Sequence, residues 1–289
     1  MSEPTRPALR YHGSKWKLAP WIIGHFPRHR IYVEPFGGGA AVLLRKQRSY
    51  AEIYNDLDAD LVSYFRILRD PDLSARFVEA ISLTPFSRDE FSGAYQPAED
   101  DFERARRMVV RSFQGFGSDG TNPLVKTGFR SNANRNGTTP ARDWMTLPDG
   151  LAKIAERLRG VCIENRPAVE VMRYHDGEGV LHYVDPPYVP ETRSTACYRS
   201  GHGYRHELSF DDHVALLEVL QDLEGFVILS GYASELYDNA LVGWRVVDKA
   251  TFADGARPRT ERLWINPACA RMLDLAGTGE QLCMIGGVA

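Results

Sequence analysis

The sequence predicts an α/β fold: a seven-stranded, mostly parallel sheet with helices on both faces and one long insertion. Three observations carry that prediction. Short β-rich runs recur along the chain, helix-period segments separate several of them, and the alternation breaks between residues 70 and 149. Strands that alternate with helices pack as a parallel sheet covered on both sides, because each crossover helix must bury its apolar stripe against a sheet face.

The runs are IYVE at 31–34, YAEIY at 50–54, GVCIE at 160–164, GVLHYV at 179–184, GFVILS at 225–230, WRVVD at 244–248 and RLWIN at 262–266. AAVLLRKQR follows the first, DADLVSYFRILRD follows the second, and DDHVALLEVLQDL precedes the fifth; all three have helical apolar spacing. The last two runs have no helical pattern between them and are expected to form an antiparallel hairpin at the end of the sheet. The sheet domain therefore occupies 1–69 and 150–289, with an inserted region at 70–149. Within the insertion, helical stretches around 73–81 and 99–112 lead into GFGSDGTNPLVKTGFRSNANRNGTTPARDW. A connection that long in a compact protein usually carries function.

With 43% hydrophobic and 25% charged residues over 289 positions, the chain has ample material for a core, which excludes wholesale disorder. No segment approaches the ~18 consecutive apolar residues of a membrane span, and the N-terminal ten residues lack the apolar core of a signal peptide. A soluble protein of a reducing cytoplasm is expected. Cys162, Cys197, Cys269 and Cys283 lie far apart with no CxxC pair, so neither a disulfide framework nor a metal site is indicated. The net charge of −3 hides a separation: residues 101–160 hold eleven Lys and Arg against six acids, an excess of +5. That stretch points to an anionic partner.

The chemistry-bearing residues stand where strands end. Glu34-Pro35-Phe36-Gly37-Gly38-Gly39 leads from the first strand straight into a helix, and glycines there allow a sharp turn and a close backbone approach to a ligand. Asn55-Asp56, at the end of the second strand, offers a carboxylate suited to a ribose diol. Together these outline a nucleoside site, although Val42 at the third glycine position of GxGxxG disfavours a dinucleotide. The fourth strand ends in Asp185-Pro186-Pro187-Tyr188. Two prolines stiffen the exit and remove two donors, leaving a carboxylate and a carbonyl to accept from an exocyclic amine beside a ring that can stack on its base.

Taken with Tyr11-His12-Gly13-Ser14-Lys15 near the N-terminus, these motifs resemble, in order, those of the Dam-like DNA adenine-N6 methyltransferases, over most of the chain. The resemblance implies a Rossmann-like methyltransferase sheet with an inserted target-recognition region, and S-adenosylmethionine as cofactor. It implies that Tyr11, Lys15, Glu34, Pro35, Phe36 and the three glycines surround the cofactor's methionine part. Asp56 would lie on the ribose, and Asp185 to Tyr188 on the target base. Many relatives carry an acid after the third strand, where this chain reads Glu164-Asn165-Arg166; Asn165, through its side chain or backbone, is the candidate substitute for that contact to the cofactor adenine.

The expected reaction is direct methyl transfer in which Asp185 and the Pro186 carbonyl accept the two N–H bonds of adenine, freeing the nitrogen lone pair. The base would be flipped out of double-stranded DNA. Alternatives are another exocyclic amine, of cytosine or of adenine in RNA, and a catalytically idle DNA-binding relative. In the insertion, Arg130, Asn132, Asn134 and Arg135 are the candidate DNA contacts, since Arg and Asn read guanine and adenine edges; Thr127-Gly128-Phe129-Arg130 resembles the Gly-aromatic-Arg loop of the family. Residues 189–207, with Arg193 and Arg199, are expected to form a mobile loop that orders over DNA. The expected state is a monomer acting on DNA and not on a membrane; a companion restriction enzyme is left open.

Overall fold

The computed structural model describes residues 3–132, 137–189, 205–253 and 257–285. These form a seven-stranded sheet from β1 (Ile31–Glu34), β2 (Ala51–Asn55), β3 (Val161–Glu164), β4 (Val180–Val184), β5 (Phe226–Gly231), β6 (Arg245–Ala253) and β7 (Arg257–Ile265). The order is β3-β2-β1-β4-β5-β7-β6. The first five strands of that order pair in parallel, while β7 runs antiparallel to both β5 and β6. The terminal hairpin forms as the sequence predicts, but its second strand, not its first, joins the sheet.

Helix α1 (Ala19–Ile23) precedes β1, and α2 (Ala41–Arg45), α3 (Ala59–Arg69) and α4 (Pro71–Leu83) follow the glycine turn and the end of β2. Asp58 caps α3 by accepting from the Asp60 amide, and Asp70 caps α4 from the Asp72 and Leu73 amides, so two acids placed ahead of apolar runs set where the helices begin. The insertion continues with α5 (Arg88–Gly93), α6 (Asp101–Gln114), α7 (Pro140–Met145) and α8 (Leu147–Leu158). Its apolar faces are continuous with the sheet core. Phe77, Met108, Val109, Trp144, Leu147 and Ile154 are buried in one cluster with Tyr54, Phe65, Leu181 and Ile228. A second cluster on the other sheet face gathers Val184, Leu217, Leu229 and Trp264 with α9 (Ala168–His175) and helix Phe210–Asp222. Burial on both faces fits the largely apolar β1, β4 and β5, while the edge strand β3 exposes Cys162.

The charge excess of residues 101–160 is largely absorbed inside the fold. Arg104 pairs with Asp60 and Asp101, Arg106 with Glu90 and Glu103, Arg107 with Glu103, and Arg157 with Glu52. Arg111, 4% exposed, donates to the carbonyls of Ala94, Gly120 and Thr121. Several of the acids lie outside the basic window, so a count over that window overstates its surface charge.

Candidate active site

Strand order reverses between β1 and β4: the chain leaves β1 toward β2 and β3 on one side and returns as β4 on the other. Such a switch point opens a crevice beyond the carboxyl ends of the two central strands. A cleft of about 790 Å³ of empty space, open to solvent, lies there.

Glu34 ends β1, and the glycine turn carries the chain into α2. A Cβ on Gly37 would sit 2.1 Å from the Tyr54 ring, and one on Gly38, at φ +47, would sit 2.7 Å from the Tyr11 ring. The two tyrosines lock the turn from either side, and they alone suffice to demand glycine. The Glu34 carboxylate is 2% exposed and accepts from the Tyr32 hydroxyl (2.7 Å) and the Leu43 amide (3.0 Å) in the first turn of α2. Burial pushes its pKa up to about 8, with the nearby Asp185 carboxylate adding to the rise.

Asn55 stitches three strand ends together, donating to the Pro35 and Arg166 carbonyls and accepting from the Arg166 amide. Asp56 accepts from the Gly38 amide and the Asp58 amide, both at 2.8 Å. Burial raises its pKa to about 6. Asn165 donates to the Asp56 carbonyl at 2.7 Å, bracing that turn from the β3 side.

Asp185 follows β4 on the same face as Leu181 and Tyr183, which lie in the main core cluster. Its Oδ1 accepts from Lys15 Nζ (2.8 Å) and Ser230 Oγ (2.9 Å). Lys15, 4% exposed, also donates to the Tyr188 hydroxyl at 2.6 Å. That hydroxyl donates in turn to Glu261 on β7, 3.1 and 3.2 Å from its two oxygens. The Tyr188 ring packs against Tyr232 with 4.3 Å between centroids.

Tyr11, Lys15, Glu34, Pro35, Phe36, Gly37, Gly38, Gly39, Asp56, Asp185 and Pro187 all line the one cleft, so residues scattered over more than 170 positions converge. Asn165, Pro186 and Tyr188 do not line it. Arg130 lies in the insertion with its side chain 9% exposed, donating to the Phe113 carbonyl at 2.9 Å and 3.9 Å from Asp143. Asn132 is exposed. Asn134, Arg135, Arg193 and Arg199 lie outside the described residues, as does most of the 189–207 segment. Sequence reasoning missed Ser230 and Glu261. The available signal was a polar residue in a core-facing slot: Ser230 two places after Ile228, and Glu261 two places before Leu263.

A doubly wound sheet with a cleft at its switch point, a glycine turn and an Asp-Pro-Pro-Tyr strand exit defines a Rossmann-like methyltransferase. Residues 11–252 match the D12 class N6 adenine-specific DNA methyltransferase family, and the chain belongs to it. It is 24% identical over 241 residues to the type II methyltransferase M.MjaIII of Methanocaldococcus jannaschii, covering 76% of this chain and 80% of that protein. It is 25% identical over 273 residues to the type II methyltransferase M1.LlaDCHI of Lactococcus lactis subsp. cremoris, covering 87% and 90%. A DNA N-6-adenine-methyltransferase of Escherichia phage P1 matches at 24% identity over 76% of this chain and 28% of its own length. The protein is thus an adenine-specific DNA methyltransferase that uses a methyl donor.

Proposed function

We propose that the donor is S-adenosylmethionine, held in the cleft, and that Asp185 receives the exocyclic amine of an adenine flipped out of double-stranded DNA. The donor set supports the cofactor. Burial raises the pKa of Glu34 to about 8 and that of Asp56 to about 6 in the same cleft; a ligand bearing an ammonium and a sulfonium would favour the charged form of Glu34, while the Asp56 carboxylate suits the ribose diol. When bound, that cofactor supplies an electrophilic methyl group.

The chain's own residues do the rest. The amine nitrogen of adenine is a poor nucleophile because its lone pair is delocalised into the ring. Asp185 and the Pro186 carbonyl accept its two N–H bonds, which localises the lone pair and stabilises the positive charge that develops on nitrogen. Lys15 and Ser230 hold Asp185 through one oxygen, leaving the other for the substrate. The insertion at 70–149 reads the target sequence.

The observation that carries this reading is the position of Asp185, buried-face partner of Lys15 and Ser230, on the wall of the glycine-turn cleft. Labelled methyl transfer to DNA, RNA and protein in parallel tests it. DNA is the expected acceptor, with the label on adenine N6, and Asp185→Ala is expected to lose transfer while keeping cofactor affinity within about tenfold. Label in RNA or protein alone, or activity retained in the variant, overturns the assignment.

A further inference from the structure

The apolar rows on one face of the sheet change character at its carboxyl edge. Leu181 and Tyr183 on β4 give way to Asp185, Ile228 on β5 to Ser230, and Ile265 and Leu263 on β7 to Glu261. β7 can contribute here because it is antiparallel and nine residues long, whereas β5 stops at Gly231, paired with Arg262. Glu261 therefore stands one residue beyond the end of β5, level with the site. It lies outside the residues matched by the family model.

Glu261 is 2% exposed, met by Lys15 from the segment before α1 and by Tyr188 from the exit of β4. Lys15 Nζ is 3.4 Å from its Oε1 and 2.8 Å from Asp185 Oδ1, so one ammonium faces two carboxylates. The Tyr188 hydroxyl accepts from Lys15 and donates to Glu261, which fixes the direction of that bond and the pose of the ring. Tyr232 packs on the Tyr188 ring, and the Arg259 guanidinium sits 5.6 Å from the Tyr232 ring centre.

We infer that Glu261 is a positioning residue for methyl transfer: it shares Lys15 and Tyr188 with Asp185, so that the cluster keeps a net negative charge facing the acceptor amine. This rests on the role of Asp185 proposed above. With Asp185 alone opposite Lys15, the ammonium would cancel the carboxylate that must stabilise a nitrogen becoming positive. The second carboxylate removes that cancellation. It also holds Lys15 and Tyr188 without touching the substrate. Burial raises the pKa of Glu261, with Asp185 adding and Lys15 opposing, so protonation of Glu261 on acidification switches the effect off.

The test uses the full chain, with Glu261→Gln and Glu261→Asp compared with wild type. The measurements are single-turnover methyl transfer from labelled S-adenosylmethionine to unmethylated genomic DNA across pH, cofactor affinity by calorimetry, and melting temperature. For Glu261→Gln the expected kcat is about 10- to 100-fold lower, the size typical of losing a partner that orients a reacting group, with cofactor affinity within about threefold. The fall in rate on acidification expected of wild type should be displaced in Glu261→Gln, leaving only the part that protonation of Asp185 itself causes. Glu261→Asp should keep that fall and recover part of the rate. If Glu261→Gln does not fold, Glu261→Asp decides alone: a lower kcat with the acid limb displaced supports the role, and a wild-type rate and profile overturn it. A wild-type rate and acid limb in Glu261→Gln also overturn it, as does a loss that follows melting temperature equally in both variants. Failure of wild type to methylate adenine is a separate result, which removes the role of Asp185 instead.

Discussion

Two glutamates on neighbouring strands of the same sheet have opposite fates. Tyr32 pairs with Glu52 and Glu34 with Tyr54 across β1 and β2, so the two carboxylates lie two residues apart along the ladder, both buried. Glu52 is met by Lys46 at 2.6 Å and by Arg157 from α8 at 2.6 and 2.9 Å, and these cations hold its pKa below the ordinary value despite burial. Glu34 is met by a tyrosine hydroxyl and an amide, and its pKa rises to about 8. Burial is common to both; the difference is that Lys46 and Arg157 pair directly with Glu52, whereas Lys46 acts on Glu34 only from a distance and does not offset its burial. Glu52 completes a structural ion cluster that ties α8 to the sheet. On the function proposed above, Glu34 would take its counter-charge from the ligand.

Breaking the completed cluster should have the largest effect. Glu52→Gln leaves Lys46 and Arg157 facing no carboxylate in a buried site, and the expected loss is about 3 to 5 kcal/mol of unfolding free energy, measured by urea denaturation. Within the cleft, Asp56→Ala removes the acceptor of the Gly38 and Asp58 amides. Cofactor affinity should fall by about 1.5 to 3 kcal/mol, read by calorimetry, with a smaller change in DNA affinity. Helix α3 should survive, since Asp58 is its cap. Arg130 sharpens the comparison from the side of the cations, because its guanidinium donates to the Phe113 carbonyl at 2.9 Å and meets the Asp143 carboxylate only at 3.9 Å. Arg130→Ala should cost about 1 to 3 kcal/mol on the preferred DNA site and less on a single-base variant, in a competition binding assay. A uniform loss on all sequences would assign it to phosphate or to holding the loop.

The fold was legible because its strands are short apolar runs between helix-period segments, and the ends of β1, β2 and β4 carry their chemistry in contiguous motifs. Gly37 and Gly38 were legible as a turn, yet the rings that require glycine come from Tyr54 and Tyr11, which no local pattern connects to them. Glu261 was not legible as part of the site, since its partners Lys15, Asp185 and Tyr188 are brought to it by strand order alone. The charge excess of residues 101–160 overstates the surface charge for the same reason: Glu52, Asp60 and Glu90, which answer three of its arginines, lie outside it in sequence.

The claim that Glu34 waits for a cationic methyl donor is tested most directly by proton release. With a pKa near 8, Glu34 is mostly protonated at pH 7 in the free protein, and pairing with a cation lowers that pKa, so binding must expel the proton. Calorimetric titration of S-adenosylmethionine at pH 7, in two buffers of different ionisation enthalpy, should therefore show release of about one proton per cofactor bound, and Glu34→Gln should lose it. A binding heat independent of buffer in wild type, or equal release in the variant, would contradict the account.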